Sequence, residues 1–293
     1  MPKVDVNKKR GDPNAQIDLE TFWSEVSEID SPNNLNLTGA WDEDFGRSSY
    51  RYQDKENDII IPLGRIKEGS YASVNLSISQ NLIAAGSALS GLGVFRRAIL
   101  THLTRTRTPD QLKIIIIDPI KSLGDFDDIP HLAMTRAVSK EEIHVALNWL
   151  VCEIERRIHN PSGTLIYLHN QERPPGAREP SVLVLITELG EIGIENNDVV
   201  YKLVRFIQMA RATEIQTVIT TQQPSAEKLP KLILDNVGPR VAFKLPYKET
   251  SELIIGKPGA EELLGQGDMI YTDDGSQYVR MQGFHVESGT TEP

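Results

Sequence analysis

The stretch Asn81-Leu-Ile-Ala-Ala-Gly86-Ser87-Ala88-Leu89-Ser90-Gly91-Leu92-Gly93-Val-Phe-Arg96-Arg97-Ala-Ile-Leu100 decides how the 293-residue chain is read. An apolar run of strand length precedes a glycine-rich turn, and a helical pattern follows it. In that context backbone N–H groups and a helix N-terminus converge on one point, which suits an anion. The phosphate-loop pattern is G-x-x-x-x-G-K-[ST]. Gly86 and Gly91 hold its two glycine positions, but Leu92 stands at the lysine and Gly93 at the hydroxyl residue. Two glycines at this spacing also suit a plain strand-to-helix turn, so the neighbouring segments have to decide.

Outward from the loop, short aliphatic runs alternate with amphipathic stretches. Strands are expected at Asn81–Ala85, Lys113–Asp118, Ser181–Thr187, Ile215–Thr221 and Arg240–Leu245, and helices at Val94–Thr106, Lys140–His159 and Asp198–Ala212. Runs of continuous Ile, Val and Leu mark strands buried on both faces, as in a parallel sheet covered by helices. In the second helix Ile143, Ala146, Leu147, Leu150, Ile154 and Ile158 form one apolar stripe. Asp268–Thr272 and Gln277–Gln282 read as a closing hairpin around Asp273-Asp274-Gly275-Ser276. The alternation predicts an α/β fold: a mostly parallel central sheet with helices on both faces, plus a C-terminal β-hairpin.

Residues 1–57 differ in character. They hold 12 acidic and 7 basic residues, with Asn, Asp, Ser and Pro clusters and one helical pattern at Ile17–Ile29. They read as a polar, partly ordered N-terminal arm, and residues 58–293 as the main domain. A net charge of −10 excludes a uniformly basic nucleic-acid binder. One cysteine, Cys152, excludes a disulfide framework within the chain and a Cys-rich zinc site. It lies beside the apolar stripe and reads as a buried small hydrophobe. The histidines show no metal-ligand spacing, so no resident metal is expected. No run reaches the ~20 apolar residues of a membrane helix, and the charged start lacks a signal-peptide core. A cytoplasmic protein without direct membrane insertion is expected.

Two further strand ends carry polar residues. Ser181–Ile186 ends in Thr187-Glu188, where a metal-holding Asp followed by a water-polarising Glu would stand. Ile215–Thr221 ends in Thr221-Gln222-Gln223-Pro224-Ser225, where Gln222 takes the place of a γ-phosphate sensor. With these in place the chain resembles the motor domain of the FtsK/SpoIIIE DNA translocases, RecA-like P-loop NTPases of the FtsK/HerA group. The resemblance runs from about Ile61 to about Val286 through Ile61-Pro-Leu-Gly-Arg65, Ile117-Asp118-Pro119, Ile129-Pro130-His131-Leu132, Glu155-Arg156-Arg157, Ala210-Arg211-Ala212, Pro239-Arg240-Val-Ala-Phe243 and Gly259-Ala-Glu-Glu-Leu-Leu-Gly-Gln-Gly-Asp-Met269. His131 reads as a hydrogen-bonded structural residue within it.

The resemblance implies a RecA-like fold, a nucleotide cradle at Gly86–Gly93, ring assembly with FtsK-like subunits, and double-stranded DNA as a candidate partner. It also implies an arginine reaching a neighbour's nucleotide, for which Arg211 and Arg240 are the candidates. The departures are equally specific: Leu92 for the lysine, Gly93 for the Mg²⁺ hydroxyl, Thr187 for the Mg²⁺ carboxylate, Gln223 for an arginine and Ile120 for a lysine. The Pro-rich segment Asn160–Pro180 follows Glu-Arg-Arg where the family has a DNA-facing loop. The chain ends soon after the motor core, so neither a winged-helix module nor an N-terminal membrane anchor is expected. Phosphoryl transfer rests on positioning and charge neutralisation. The expected function is therefore a degenerate, non-hydrolysing member of a translocating ring, binding ATP or ADP weakly and Mg²⁺ poorly, with Glu188 the remaining catalytic candidate. Two alternatives stand beside it. One is an active translocase with an unorthodox site. The other is a protein-binding coupling module of a secretion or conjugation machine, favoured by an apolar Leu92 in the pocket. Arg96, Arg97, Arg105, Arg107 and Lys113 read as a solvated basic face rather than one turned to phosphates, with Arg96 or Arg97 folding back toward an anion at the loop as the alternative.

Overall fold

The computed structural model describes residues 58–66, 71–159, 166, 170 and 173–284, all within one compact unit. The arm at 1–57, with the helix expected at Ile17–Ile29, and about half of Asn160–Pro180 lie outside the described residues.

Nine strands form one sheet: β1 (Ile60–Ile66), β2 (Tyr71–Asn75), β3 (Asn81–Ala85), β4 (Leu112–Ile117), β5 (Ser181–Ile186), β6 (Ile215–Thr221), β7 (Arg240–Phe243), β8 (Asp268–Thr272) and β9 (Val279–Gly283), in the order β2-β1-β9-β8-β7-β3-β6-β5-β4. From β7 to β4 the neighbours pair in parallel. Every residue of β3, β5 and β6 is buried, which is why these strands are unbroken aliphatic runs. The longer helices are α1 (Leu92–Thr106), α2 (Lys140–Ile158), α3 (Asn197–Thr213) and α4 (Lys248–Ile255). A capping box between Ser139 and Glu142 starts α2.

The hairpin is not an appendage. β8 pairs with β7 and β9 with β1, both antiparallel, so it joins a β1/β2 ribbon to the parallel half. That ribbon escaped the sequence pattern because Pro62 and Gly64 interrupt it. The register shifts between these two residues, and a Cβ on Gly64 would stand 2.1 Å from the Gln282 carbonyl oxygen. Cys152 is exposed, not buried: it lies across α2 from the stripe, and Arg157 rather than Ile158 completes that stripe. Among the described residues no helix is long and apolar enough to cross a membrane.

His102 sits on the buried face of α1. Burial, reinforced by the Arg107 charge, pushes its pKa down to about 3. The unfolded chain takes up this proton near pH 6.5 and the folded chain does not. Stability is therefore complete above that pH and falls on acidification, by about 1.4 kcal/mol per pH unit between about 6.5 and 3. Going from about pH 7.5 to 5, the wild type should lose about 2 kcal/mol more than His102→Gln in urea melts. Equal losses in the two proteins would refute this origin.

Candidate functional site

The carboxyl ends of the parallel strands converge on one place, as ligand sites of open α/β sheets do. β3 runs into Gly86–Gly91, and Gly91 caps α1 with φ 109° and no side-chain hydrogen bond. Both glycines are required sterically. A Cβ on Gly86 would lie 2.5 Å from Ser90 Oγ and 2.6 Å from Phe243 Cβ. On Gly91 it would lie 2.5 Å from the Gly267 nitrogen, whose N–H donates to the Ser90 carbonyl at 2.8 Å. Leu89 also adopts a left-handed backbone, with φ 63°, and points its side chain into solvent. The loop thus turns tightly into α1, with Leu92 in the position after Gly91. Ser90 Oγ is buried and has no hydrogen-bond partner. Beside the loop lies a cavity of ≈ 530 Å³ lined by Leu89, Gly91, Gly93, Val94, Phe95, Phe243, Gln266, Gly267 and Gln282 to Phe284, within the size range of ligand pockets. A second cavity of ≈ 320 Å³ lies on the antiparallel half, lined largely by aliphatic residues such as Ile60, Leu63 and Met281.

Leu92 does not line the larger cavity. It is 1% exposed and packs in the core with Phe95 and Ile99, so it is a core residue and not an apolar pocket wall. This removes the feature that favoured a peptide in the site.

The strand tips form a closed polar network. Thr187 Oγ1 donates to Asp118 Oδ1 at 2.6 Å. Asp118 also accepts from Ser122 Oγ, the Leu123 N–H and Arg136 Nη1, at 3.0, 2.9 and 3.0 Å. Burial alone would push this carboxyl up, but the hydrogen bonds from Thr187, Ser122 and Leu123 hold it below the ordinary range. Glu188 is buried, its Oε1 accepting from Thr221 Oγ1 and its Oε2 from the Gln222 N–H, both at 2.6 Å. Glu188 and Gln222 are therefore neighbours, as the sequence suggests, but the carboxylate is held by its own chain.

The residue that the sequence pattern misplaces is Arg96. It is 2% exposed, not on a solvated face. Its Nη1 donates to the Thr187 carbonyl at 2.6 Å, with Thr220 Oγ1 at 3.4 Å, and its Nη2 lies 3.7 Å from where a Gly93 Cβ would stand. Burial lowers its pKa, opposed by Asp118 and Glu188. The spacing carried the signal: Arg96 is four residues from Leu92 and three from Ile99, on the buried face of α1.

The other predicted arginines lie elsewhere. Arg97 pairs with Asp125 and stacks over Phe126, and Arg107 binds the Asp58 carbonyl, so no continuous basic face forms from this set. Arg240 donates from Nη1 to the Ile254 carbonyl and from Nη2 to that of Leu234, at 3.1 and 3.0 Å, which ties β7 to its flanking segments. Arg211 lies on α3, its side chain outside what is described. His131 Nε2 bonds the Arg107 carbonyl at 2.7 Å, the structural part expected of it.

The donor set does not fit a divalent metal. Gly93 has no side-chain oxygen to offer, the Thr187 hydroxyl is committed to Asp118, four donors saturate Asp118, and a guanidinium lies against the Thr187 carbonyl beside Gly93. Among the described residues no group of three His, Cys, Asp or Glu side chains could hold a metal ion.

The comparisons agree with this architecture. Residues 47–260 match the model of the FtsK/SpoIIIE family. The DNA translocase FtsK of Lactiplantibacillus plantarum is 33% identical over 248 residues, 80% of this chain and 31% of the relative. That of Chlamydia trachomatis is 31% identical over 261 residues, 83% of this chain and 32% of the relative. The chain spans about a third of the length of these relatives. Among solved structures, the cytoplasmic domain of the Thermomonospora curvata type VII secretion ATPase EccC superposes with a TM-score of 0.75 at 17% identity, over 89% of this chain and 33% of that one. The pCW3 conjugation coupling protein TcpA, solved with ATPγS, gives 0.68 at 20% identity, over 88% and 71%. These two share the fold.

Proposed function

The chain belongs to the FtsK/SpoIIIE family, and from that premise we propose that it is a non-hydrolysing subunit or regulator of a DNA-translocating ring. The carrying observation is that every group expected to bear charge on a metal–triphosphate is replaced or occupied. Leu92 is in the core, Gly93 is bare, Thr187 bonds Asp118, and Glu188 is held by Thr221 and Gln222. In other enzymes loss of one preorganised stabilising donor costs about 10²–10³ in rate. Here a lysine, a metal hydroxyl and a metal carboxylate are missing together. The retained loop conformation favours a part in assembly or nucleotide sensing beside active subunits. Arg211 is the candidate for reaching a neighbour's nucleotide, double-stranded DNA is the proposed substrate of the ring, and the cytoplasm its proposed location.

The test is ATP turnover by the purified chain with Mg²⁺, with and without double-stranded DNA. Release of phosphate at the background rate is expected in both cases. Mg²⁺-dependent, DNA-stimulated turnover would overturn the proposal in favour of an active translocase.

A further inference from the structure

Arg96 is a buried cation in an unusual setting. An arginine this deep normally has all its donors satisfied. Its Nη1 is satisfied by Thr187 and Thr220, but its Nε is buried without a hydrogen-bond partner. Ser90 Oγ, on the loop itself, is also buried without one. Nη1 holds the main-chain carbonyl of Thr187 and Nη2 lies 3.7 Å from where a Gly93 Cβ would stand, so the guanidinium sits beside the two positions, 93 and 187, from which the family would hold its metal. The open first turn of α1, a helix of 15 residues, adds uncapped N–H groups at the same place. A divalent ion seated beside position 93 would have a fixed positive charge as its neighbour. The nearest carboxylates, Asp118 and Glu188, already accept from their own chain.

We propose that Arg96 is a built-in cation standing in for the divalent metal, so that the cradle binds a free polyphosphate anion rather than its magnesium complex. A guanidinium offers planar, charge-assisted donors to phosphate and carries its charge without a metal. The inference rests on the reading of this site as a non-hydrolysing nucleotide cradle and names the ionic form of the ligand it takes.

The experiment is calorimetric titration of the full chain with the non-hydrolysable analogue AMP-PNP, in excess EDTA and again in excess Mg²⁺. The dissociation constant in EDTA should equal that in Mg²⁺ within about threefold, or be the tighter of the two. Arg96→Met should weaken binding in EDTA by about tenfold or more, the worth of a charged hydrogen bond. Arg96→Lys, which keeps the charge if the methionine variant does not fold, should retain binding in EDTA. Binding that requires Mg²⁺, binding in neither condition, or unchanged affinity in a folded Arg96→Met would each overturn the proposal. Phosphate release in the turnover assay bears on the proposed function instead, so a non-hydrolysing chain that needs Mg²⁺ to bind would sink this inference and leave that function standing.

Discussion

Replacing Arg157 with methionine should lower stability by about 2–5 kcal/mol, because two buried carbonyls lose their donor and a carboxylate loses one of its two arginines. Arg157 is 2% exposed at the end of α2. Its Nε donates to Glu153 Oε1 at 2.6 Å, Nη1 to the Thr213 carbonyl and Nη2 to the Pro180 carbonyl, both at 2.8 Å. One side chain thus joins the last turn of α2, the end of α3 and the entry to β5, the strand that ends in Thr187 and Glu188. Methionine keeps most of the stem's volume, so the loss would come from two stranded carbonyls and a Glu153 carboxylate left with Arg156 alone. A fall in Tm of about 10 °C is expected for a domain of this size. Arg156, half exposed and paired with Glu153 and Glu179, is the control. Its alanine variant should change stability by less than about 1 kcal/mol. Equal Tm shifts for the two arginines would refute the clamp.

Gly91→Ala should be the other severe variant, costing about 2–4 kcal/mol from a left-handed backbone and an overpacked contact. The new Cβ would lie 2.5 and 2.6 Å from the nitrogen and Cα of Gly267, both main-chain atoms unable to step aside. Relief requires breaking the Gly267-to-Ser90 hydrogen bond, which would part the glycine-rich loop from the segment leading into β8. The same substitution at Gly93, where a Cβ meets nothing closer than 3.7 Å, should be tolerated or slightly stabilising. Comparing the two urea midpoints separates a packing requirement from a general need for glycine, and similar midpoints would contradict the packing account.

These two variants show where the sequence was legible. The loop and the parallel strands could be read because continuous burial leaves long unbroken aliphatic runs such as Ile114–Ile117 and Val182–Ile186. β3, β6 and β8 have the bounds expected of them. β1 and β2 were missed because a proline and a close-approach glycine look like breaks, although the strand continues through a register shift. The departures at positions 92, 93 and 187 were visible as letters. What replaced them was not, because pattern reading assigns charged residues to solvent. Arg96 and Arg157 both fall on apolar helix faces, Arg96 with Leu92 and Ile99, Arg157 with Leu150 and Ile154. A charge in register with a hydrophobic stripe was the available signal, and it marks the two arginines that organise this half of the molecule. Asp118, read as a fragment of a family motif, proves to be the acceptor that occupies Thr187.

The central claim is that the phosphate cradle has kept its backbone while a guanidinium has taken the metal's place. Crystals grown with AMP-PNP and Mn²⁺ test it most directly, since manganese is located by its anomalous scattering. The account predicts no manganese peak between Gly93 and Thr187, with the Arg96 guanidinium still on the Thr187 carbonyl. A manganese ion there, bound to the phosphates and to Glu188 with Arg96 displaced, would contradict it.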